Sequence, residues 1–153
     1  KYFCAPPLKI ENEVVSSTLI KTLLEKGNIE KANEFLESNF ILEGKVIHGA
    51  QLGRTIGFPT ANIDYPQGIV KLPYGVYSVK WHYKFGIMNW GLKPTVNNAL
   101  TPVVETHILD FSGDLYGENL EIEVLRRIRD EKKFNSLDEL KAQIKKDIEE
   151  CLK

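Results

Sequence analysis

The sequence has few cysteines, no long apolar run and no recognisable leader. Its two cysteines, Cys4 and Cys151, stand near opposite ends of the 153 residues and form no CxxC or Cys/His pattern. This spacing is not that of a disulfide framework or a zinc site, and it indicates reduced thiols in a cytoplasmic protein. Because no apolar run approaches the ~20 residues of a membrane-spanning helix and no signal peptide is visible, we expect no membrane association.

Net charge is also nearly absent, since 20 Lys and Arg stand against 21 Asp and Glu and leave a formal charge of −1. Binding to nucleic acid generally needs an excess of basic charge, so we expect no such partner. The length fits one domain, or one domain carrying a fragment of another. The chain begins at Lys1 and not at Met, which suggests a piece of a longer protein. These features predict no particular oligomeric state.

Helical patterns occupy the first forty residues and the end of the chain. Ser16-Ser17-Thr18 is a helix-start cluster, and Gly27 is placed to end that helix. Asn28 can cap a second helix, whose apolar face is Ile29, Ala32, Phe35 and Leu36. Ser136 and Glu139 have capping-box spacing. They begin a final helix with an apolar stripe formed by Leu137, Leu140, Ile144, Ile148 and Cys151.

Between Phe40 and Arg129 the pattern changes to short apolar runs separated by Gly and Pro, typical of an antiparallel β domain. The alternation over 77–84 predicts a strand with one buried face and a tight hairpin near Tyr83-Lys84. Alternation over 104–109 places Glu105 and His107 on the same side of another strand. Five or six strands without intervening helices would leave exposed edges unless they close into a barrel.

The candidates for chemistry cluster around a glycine-rich stretch, 44–57, that lacks the spacing of a Walker A loop. Its backbone could cradle a phosphate completed by Arg54, or could simply form turns. Thr60 and Asn62 point to one side of an extended backbone, which suits Mg²⁺ or, equally, a turn. Glu105 interrupts an apolar strand and could be a general base, an ion-pair partner or a solvent-facing residue. His48 lacks metal spacing, as does His107, and both are expected to be structural.

Taken in order, several segments resemble the signature of riboflavin kinases. The central one contains Pro59-Thr60-Ala61-Asn62, and the others are 44–49, 53–58, 72–77, 91–95, 104–111, 114–117, 129–134 and the final helix. The resemblance covers about residues 40–152. Trp90 departs from the pattern, because the family usually has a smaller aliphatic residue there.

This resemblance implies a mainly β fold: a six-stranded antiparallel Greek-key barrel with a C-terminal helix and a short N-terminal helical segment. It implies transfer of the γ-phosphoryl group of ATP to the 5′-hydroxyl of riboflavin, which gives FMN. It further implies that Thr60 and Asn62 bind Mg²⁺ and that Glu105 is the catalytic base. The nucleotide-binding residues it implies are Gly49, Gly53, Arg54, Gly57, Thr60, Asn62, Leu109 and Tyr116. The flavin-binding residues it implies are Arg129, Glu131 and Phe134, together with the loop after Thr95.

The segment before the barrel resembles the tail of the adenylyltransferase module of bacterial bifunctional riboflavin kinase/FAD synthetases. Val15-Ser16-Ser17-Thr18-x-Ile20 matches that region, with Lys21 where Arg is usual. The resemblance divides the chain into a helical tail over 1–39 and a kinase barrel over 40–153. The rest of that module is absent from the sequence, so we expect this chain alone to make no FAD.

Two other functions fit parts of the pattern. One is a flavin-binding module without kinase activity, but such a module has no use for a metal-phosphate site at Thr60 and Asn62. The other is a small barrel that stacks single-stranded nucleic acid on Trp81, Tyr83 and Trp90. The near-zero net charge argues against the second function.

Overall fold

A computed structural model describes residues 6–49, 51–65, 68–94 and 99–153, and Cys4 lies outside these ranges. The helices are Ser17–Glu25 (α1), Ile29–Leu36 (α2), Leu52–Thr55 (α3) and Leu137–Cys151 (α4). The strands are Lys9–Ile10 (β1), Glu13–Val14 (β2), Phe40–Ile47 (β3), Ala61–Ile63 (β4), Gly75–Trp81 (β5), Lys84–Pro94 (β6), Leu100–Ile108 (β7) and Asn119–Asp130 (β8). No helix in the described ranges is long and apolar enough to cross a membrane.

Six antiparallel strands close into a barrel in the order β3-β4-β7-β6-β5-β8. Strands β5, β6 and β7 are joined consecutively, and β4 lies beside β7 after a long connection, which is the Greek-key arrangement. Closure removes the free edges that an open sheet of these strands would expose. The predicted barrel class is therefore confirmed.

The barrel interior is filled by alternate residues of each strand, including Leu42, Val104 and Ile122, which are fully buried. Trp90 belongs to this interior, where it stacks on Tyr65 with ring centroids 4.3 Å apart. The Trp90 Nε1–H group donates to the Leu72 carbonyl at 2.8 Å, so the buried indole has a polar partner.

The two N-terminal helices pack onto the barrel. Their buried residues Leu24, Ile29 and Ala32 belong to the same hydrophobic core as the barrel. Asn33 ties α2 to the sheet, because its Nδ2 donates to the Val124 carbonyl at 2.9 Å and its Oδ1 accepts from the Phe40 N–H at 2.8 Å. The helical segment therefore docks on the barrel and does not form a separate unit.

The helix signals in this region were largely correct. Ser16 caps α1 by accepting from the Leu19 N–H at 3.1 Å, and Gly27 follows that helix with a φ of 77°. Asn28 stands at the N-cap of α2 but makes no side-chain cap bond. Leu36 is exposed although the periodicity included it in the buried face.

The C-terminal helix α4 covers one flank of the barrel, where Ile144, Ile148 and Cys151 pack against Val76 and Ile87. Because α4 lies over β5, that strand is buried on both faces from Gly75 to Val79, and the prediction of one buried face was wrong. Ser78, for example, is buried beneath α4, with its hydroxyl 3.1 Å from the free thiol of Cys151. The first residue of the predicted stripe, Leu137, is exposed.

The tight hairpin predicted near Tyr83-Lys84 is present one residue earlier. It turns at His82-Tyr83, since Trp81 pairs with Lys84, and His82 takes a positive φ of 53° there. Two local features were not predicted from the sequence. The short strands β1 and β2 form a separate ribbon. The short helix α3 lies inside the glycine-rich stretch.

Candidate active site

A cavity of about 560 Å³ opens at one end of the barrel. Its walls come from the end of β3, from α3, from the start of β4, from β7 and from residues 111–116. Five of the predicted nucleotide-binding residues line it: Gly49, Arg54, Thr60, Asn62 and Tyr116. The structure therefore brings residues that are 67 positions apart in the sequence, from 49 to 116, to one site.

The glycine-rich stretch folds over the outer face of β4. A Cβ atom added at Gly49 would collide with the side chain of Asn62, and one added at Gly53 would collide with the Phe58 carbonyl. The stretch turns back through the Phe58 N–H, which donates to the Gly53 carbonyl at 2.7 Å. These glycines are needed for close approach. Gly57, which does not line the cavity, instead adopts a φ of 88°.

Residues 111–116 form the opposite wall of the cavity. Tyr116 stacks on His48 with ring centroids 3.6 Å apart, and its N–H donates to Asp114 Oδ1 at 2.9 Å. The predicted residue Leu109 follows β7 and is not part of the cavity wall. His48 and Tyr116 thus offer a flat aromatic surface at the mouth.

Glu105 lies next to the cavity, on the outer face of the sheet. It is the cross-strand partner of Asn62 on one side and of Asn89 on the other, so the three side chains share one face. Its side chain is 16% exposed, and its Oε1 forms an ion pair with the ammonium group of Lys93. His107 shares this face and is fixed by a 2.7 Å hydrogen bond between its Nδ1 and the Pro59 carbonyl.

Of the three predicted flavin-binding residues, Arg129 lies near the end of β8, and Glu131 and Phe134 follow that strand. Two of the three, Arg129 and Glu131, already have hydrogen-bond partners in the protein. Arg129 is held by Asp147 of α4, with Nε to Oδ1 at 2.9 Å and a terminal nitrogen to Oδ2 at 2.8 Å. Glu131 lies against Gly91 and accepts from the Leu92 N–H at 3.3 Å. The Phe134 ring lies 5.8 Å from the Arg129 guanidinium carbon.

Glu131 and Glu105 lie along the same outer face of the sheet, because Glu131 contacts Gly91 of β6 and Glu105 pairs with Asn89 of the same strand. Gly91 is two residues beyond Asn89 on β6, so both face outward on the same side as Glu105. A continuous outer surface therefore runs from Asn62 past Glu105 to Gly91 and Glu131. The loop after Thr95, which the resemblance also assigns to the flavin, lies outside the described residues.

Sequence reasoning missed three residues of this region. Lys93 is part of a matching segment, but nothing in the sequence pairs it with Glu105. Asp147 does give a signal, because it interrupts the apolar face of α4 between Ile144 and Cys151, where a charge is buried only when paired. Thr106 follows Glu105 and points into the barrel.

The matching family model is riboflavin kinase, over residues 36–153. The bifunctional riboflavin kinase/FMN adenylyltransferase of Bacillus subtilis is 40% identical over 94% of this chain and 47% of that protein. The RNA-binding riboflavin kinase RibR of the same species is 46% identical over 71% of this chain and 48% of that protein. The chain spans about half the length of these relatives.

Among solved structures, a macrolide-efflux protein from Streptococcus pneumoniae matches with a TM-score of 0.84 and 35% identity, over 95% of this chain and 49% of that chain. The barrel and its flanking helices therefore recur together in a longer protein. The family model covers all six barrel strands and α4. The barrel is also the fold that the sequence predicted for this family. This chain belongs to the riboflavin kinase family.

Proposed function

We propose that this chain transfers the γ-phosphoryl group of ATP to the 5′-hydroxyl of riboflavin and produces FMN and ADP. Family membership supports the reaction. The observation that carries it is the juxtaposition of Asn62 and Glu105, cross-strand partners at the edge of the cavity. A phosphate-binding side chain and an acceptor base must be neighbours in such a reaction, because donor and acceptor oxygens lie in line across the phosphorus.

The cavity is assigned to ATP. Arg54 and the backbone of the glycine-rich stretch would lie against the triphosphate, where a guanidinium group and backbone N–H groups balance phosphate charge. Thr60 and Asn62 would lie beside the γ-phosphate. The predicted nucleotide contacts at Gly53, Gly57 and Leu109 do not line the cavity. Gly53 and Gly57 would act by shaping the glycine-rich stretch, and Leu109 stays a prediction from the resemblance.

Glu105 is assigned as the general base. It would accept the proton of the riboflavin 5′-hydroxyl while that oxygen forms a bond to the γ-phosphorus and the bond from phosphorus to the β,γ-bridging oxygen breaks. ADP leaves with the bridging oxygen. Lys93 engages Oε1, and no described residue places a hydrogen bond on Oε2, so Oε2 is the oxygen available to the hydroxyl.

Mg²⁺ fits the donors of this site. Thr60 and Asn62 offer two neutral oxygens, and the described residues contain no cluster of three His, Cys, Asp or Glu. Two protein oxygens are enough when phosphate oxygens and water complete the shell, as Mg²⁺ prefers. When bound, the ion would neutralise charge on the transferring phosphoryl group.

The outer surface beyond Glu105 is assigned to riboflavin, with Glu131, Arg129 and Phe134 at its far end. Two nitrogens of the Arg129 guanidinium group already donate to Asp147. Arg129 would therefore act on the flavin mainly by fixing the position of the 130–134 segment. Phe134 supplies an aromatic ring for a flat ligand.

Three broader assignments are also proposals. Residues 1–39 correspond to the tail of an adenylyltransferase module whose remainder the relatives carry, and this chain alone makes no FAD. The reduced thiols predicted from the sequence indicate the cytoplasm. We expect no nucleic-acid binding, and an oligonucleotide mobility-shift assay at low salt tests this against the description of RibR as RNA-binding.

The direct test is chromatography of riboflavin after incubation with the chain, ATP and Mg²⁺, with FMN and FAD resolved separately. We expect FMN without FAD, and no FMN when EDTA replaces Mg²⁺. Riboflavin that binds without conversion, whether or not ATP is present, would favour a carrier module and refute the kinase assignment.

A further inference from the structure

Thr106 is a buried side chain with an unsatisfied polar atom. It is 1% exposed and faces the inside of the barrel opposite Ala61. Its Oγ1 has no hydrogen-bond partner among the described residues. Thr106 also lines the cavity assigned above to the nucleotide.

An unpaired buried hydroxyl is unusual. The large majority of buried side-chain polar atoms in proteins have a partner, and each exception needs an explanation. A valine would fill the same space at the inside of a barrel without the cost of burying an unpaired oxygen. The hydroxyl at this position is therefore explained if its partner is a ligand.

The surroundings of Thr106 indicate which part of a nucleotide would meet it. Ala61, the cross-strand partner of Thr106, lines the cavity together with the apolar residues Val46, Ile108 and Leu115. The groups suited to phosphate stand elsewhere, on the outer face of β4 and on α3. A flat base with a polar edge fits apolar walls that offer one hydroxyl, and a triphosphate does not.

We propose that the Thr106 hydroxyl is the hydrogen-bonding contact for the purine base of the nucleotide, which makes Thr106 a specificity-determining residue. The proposal rests on the proposed function, since it takes the cavity to be the nucleotide site. A hydroxyl both donates and accepts, so it can pair with either kind of atom on the edge of the base.

The test compares Thr106→Val, which removes the hydroxyl and keeps the shape, with Thr106→Ser, which keeps the hydroxyl. Calorimetry measures the binding of ADP and of CDP to each protein. We expect Thr106→Val to weaken ADP binding by about 2- to 12-fold, the range for one hydrogen bond, with a smaller effect on CDP. The affinity of Thr106→Ser for ADP is expected to be closer to that of the wild type than the affinity of Thr106→Val is.

Thermal unfolding separates this effect from damage to the fold. Because the hydroxyl is unpaired in the ligand-free chain, the melting temperature of Thr106→Val is expected to be unchanged or raised by roughly 2–4 °C. Unchanged ADP binding would overturn the proposal. Equal losses for ADP and CDP would also overturn it, because they would show that the hydroxyl does not select a purine base.

The outcome is independent of turnover. If the chain binds ADP but makes no FMN, the proposed function fails while the binding data still decide the role of Thr106. If it makes FMN and Thr106→Val binds ADP normally, only the role of Thr106 fails.

Discussion

Replacing Asp147 with Asn is expected to lower the free energy of unfolding by about 3 kcal/mol. The Asp147 side chain is 3% exposed and accepts two hydrogen bonds from Arg129. A third comes from Gln143 at 2.9 Å. In Asp147→Asn the new amide nitrogen faces an Arg129 donor, so one charge-assisted bond is lost and a partly buried guanidinium loses its counter-charge.

The magnitude follows from burial. Breaking a fully buried ion pair costs roughly 3–5 kcal/mol. The Arg129 side chain is 21% exposed, so water can solvate part of its charge, and the lower end of the range applies. For a chain of this size, about 3 kcal/mol corresponds to a fall of roughly 6–12 °C in the melting temperature.

The assay is urea unfolding followed by tryptophan fluorescence, with the midpoint and the slope fitted separately. Lys21→Met is the matched control, since the Lys21–Glu25 pair is 3.8 Å long and both side chains are largely exposed. It should cost under about 0.5 kcal/mol. A loss below about 1 kcal/mol in Asp147→Asn would refute the view that this pair anchors α4 to the barrel.

Two further substitutions test the site and the core. Gly49→Ala should displace the Asn62 side chain, because a Cβ atom at position 49 collides with it. We expect kcat/KM for ATP to fall at least ~10-fold. Unchanged kinetics would contradict the close packing of Gly49 on Asn62. Burial raises the pKa of Tyr77 to about 12, so its protonated form is favoured in the folded chain and its contribution to stability is complete below about pH 10. That contribution is lost as the pH rises toward 12. We therefore expect the free energy of unfolding, measured by urea titration at alkaline pH, to fall less steeply with pH in Tyr77→Phe than in the wild type. An equally steep fall would count against Tyr77 as the source of the pH dependence.

Much of the fold was predictable because local signals agreed with one another. Ser16 and Ser136 cap the predicted helices, since their hydroxyls accept from the Leu19 and Glu139 N–H groups. The Glu139 carboxylate accepts from the Asn135 N–H, one residue before the position that a capping box predicts. The 104–109 alternation correctly placed Glu105 and His107 on the same side of a strand, which in the structure is the outer face, while Val104 is buried inside the barrel. Strand count and the lack of helix signals between the strands in the sequence were enough to predict closure, although one short helix, α3, does lie between β3 and β4.

The errors came from tertiary contacts that period-two patterns do not encode. Ser78 looks like a solvent-facing position until α4 is placed over it. The hairpin was predicted one residue too late in the chain, because the turn at His82-Tyr83 has neither Gly nor Asn and no local signal marks its left-handed residue. Asp147 carried a signal in the periodicity of α4, but its partner Arg129 lies 18 positions away.

The candidate site was predictable in composition but not in arrangement. The resemblance identified Thr60, Asn62 and Glu105, and the register of β4 against β7 makes Asn62 and Glu105 neighbours. Spacing alone could not give this register, because it depends on barrel closure. The ion pair from Lys93 to Glu105 and the unpaired hydroxyl of Thr106 emerge only from the three-dimensional structure.

The most direct test of the account is the turnover number of Glu105→Gln, a substitution that keeps the shape of the side chain and removes its basicity. Glu121→Gln, an exposed glutamate on β8, is the control. We predict that Glu105→Gln loses at least ~10²-fold in kcat for FMN formation while it binds ADP normally, and that the control is unaffected. Turnover at the wild-type level in Glu105→Gln would contradict the assignment of Glu105 as the base.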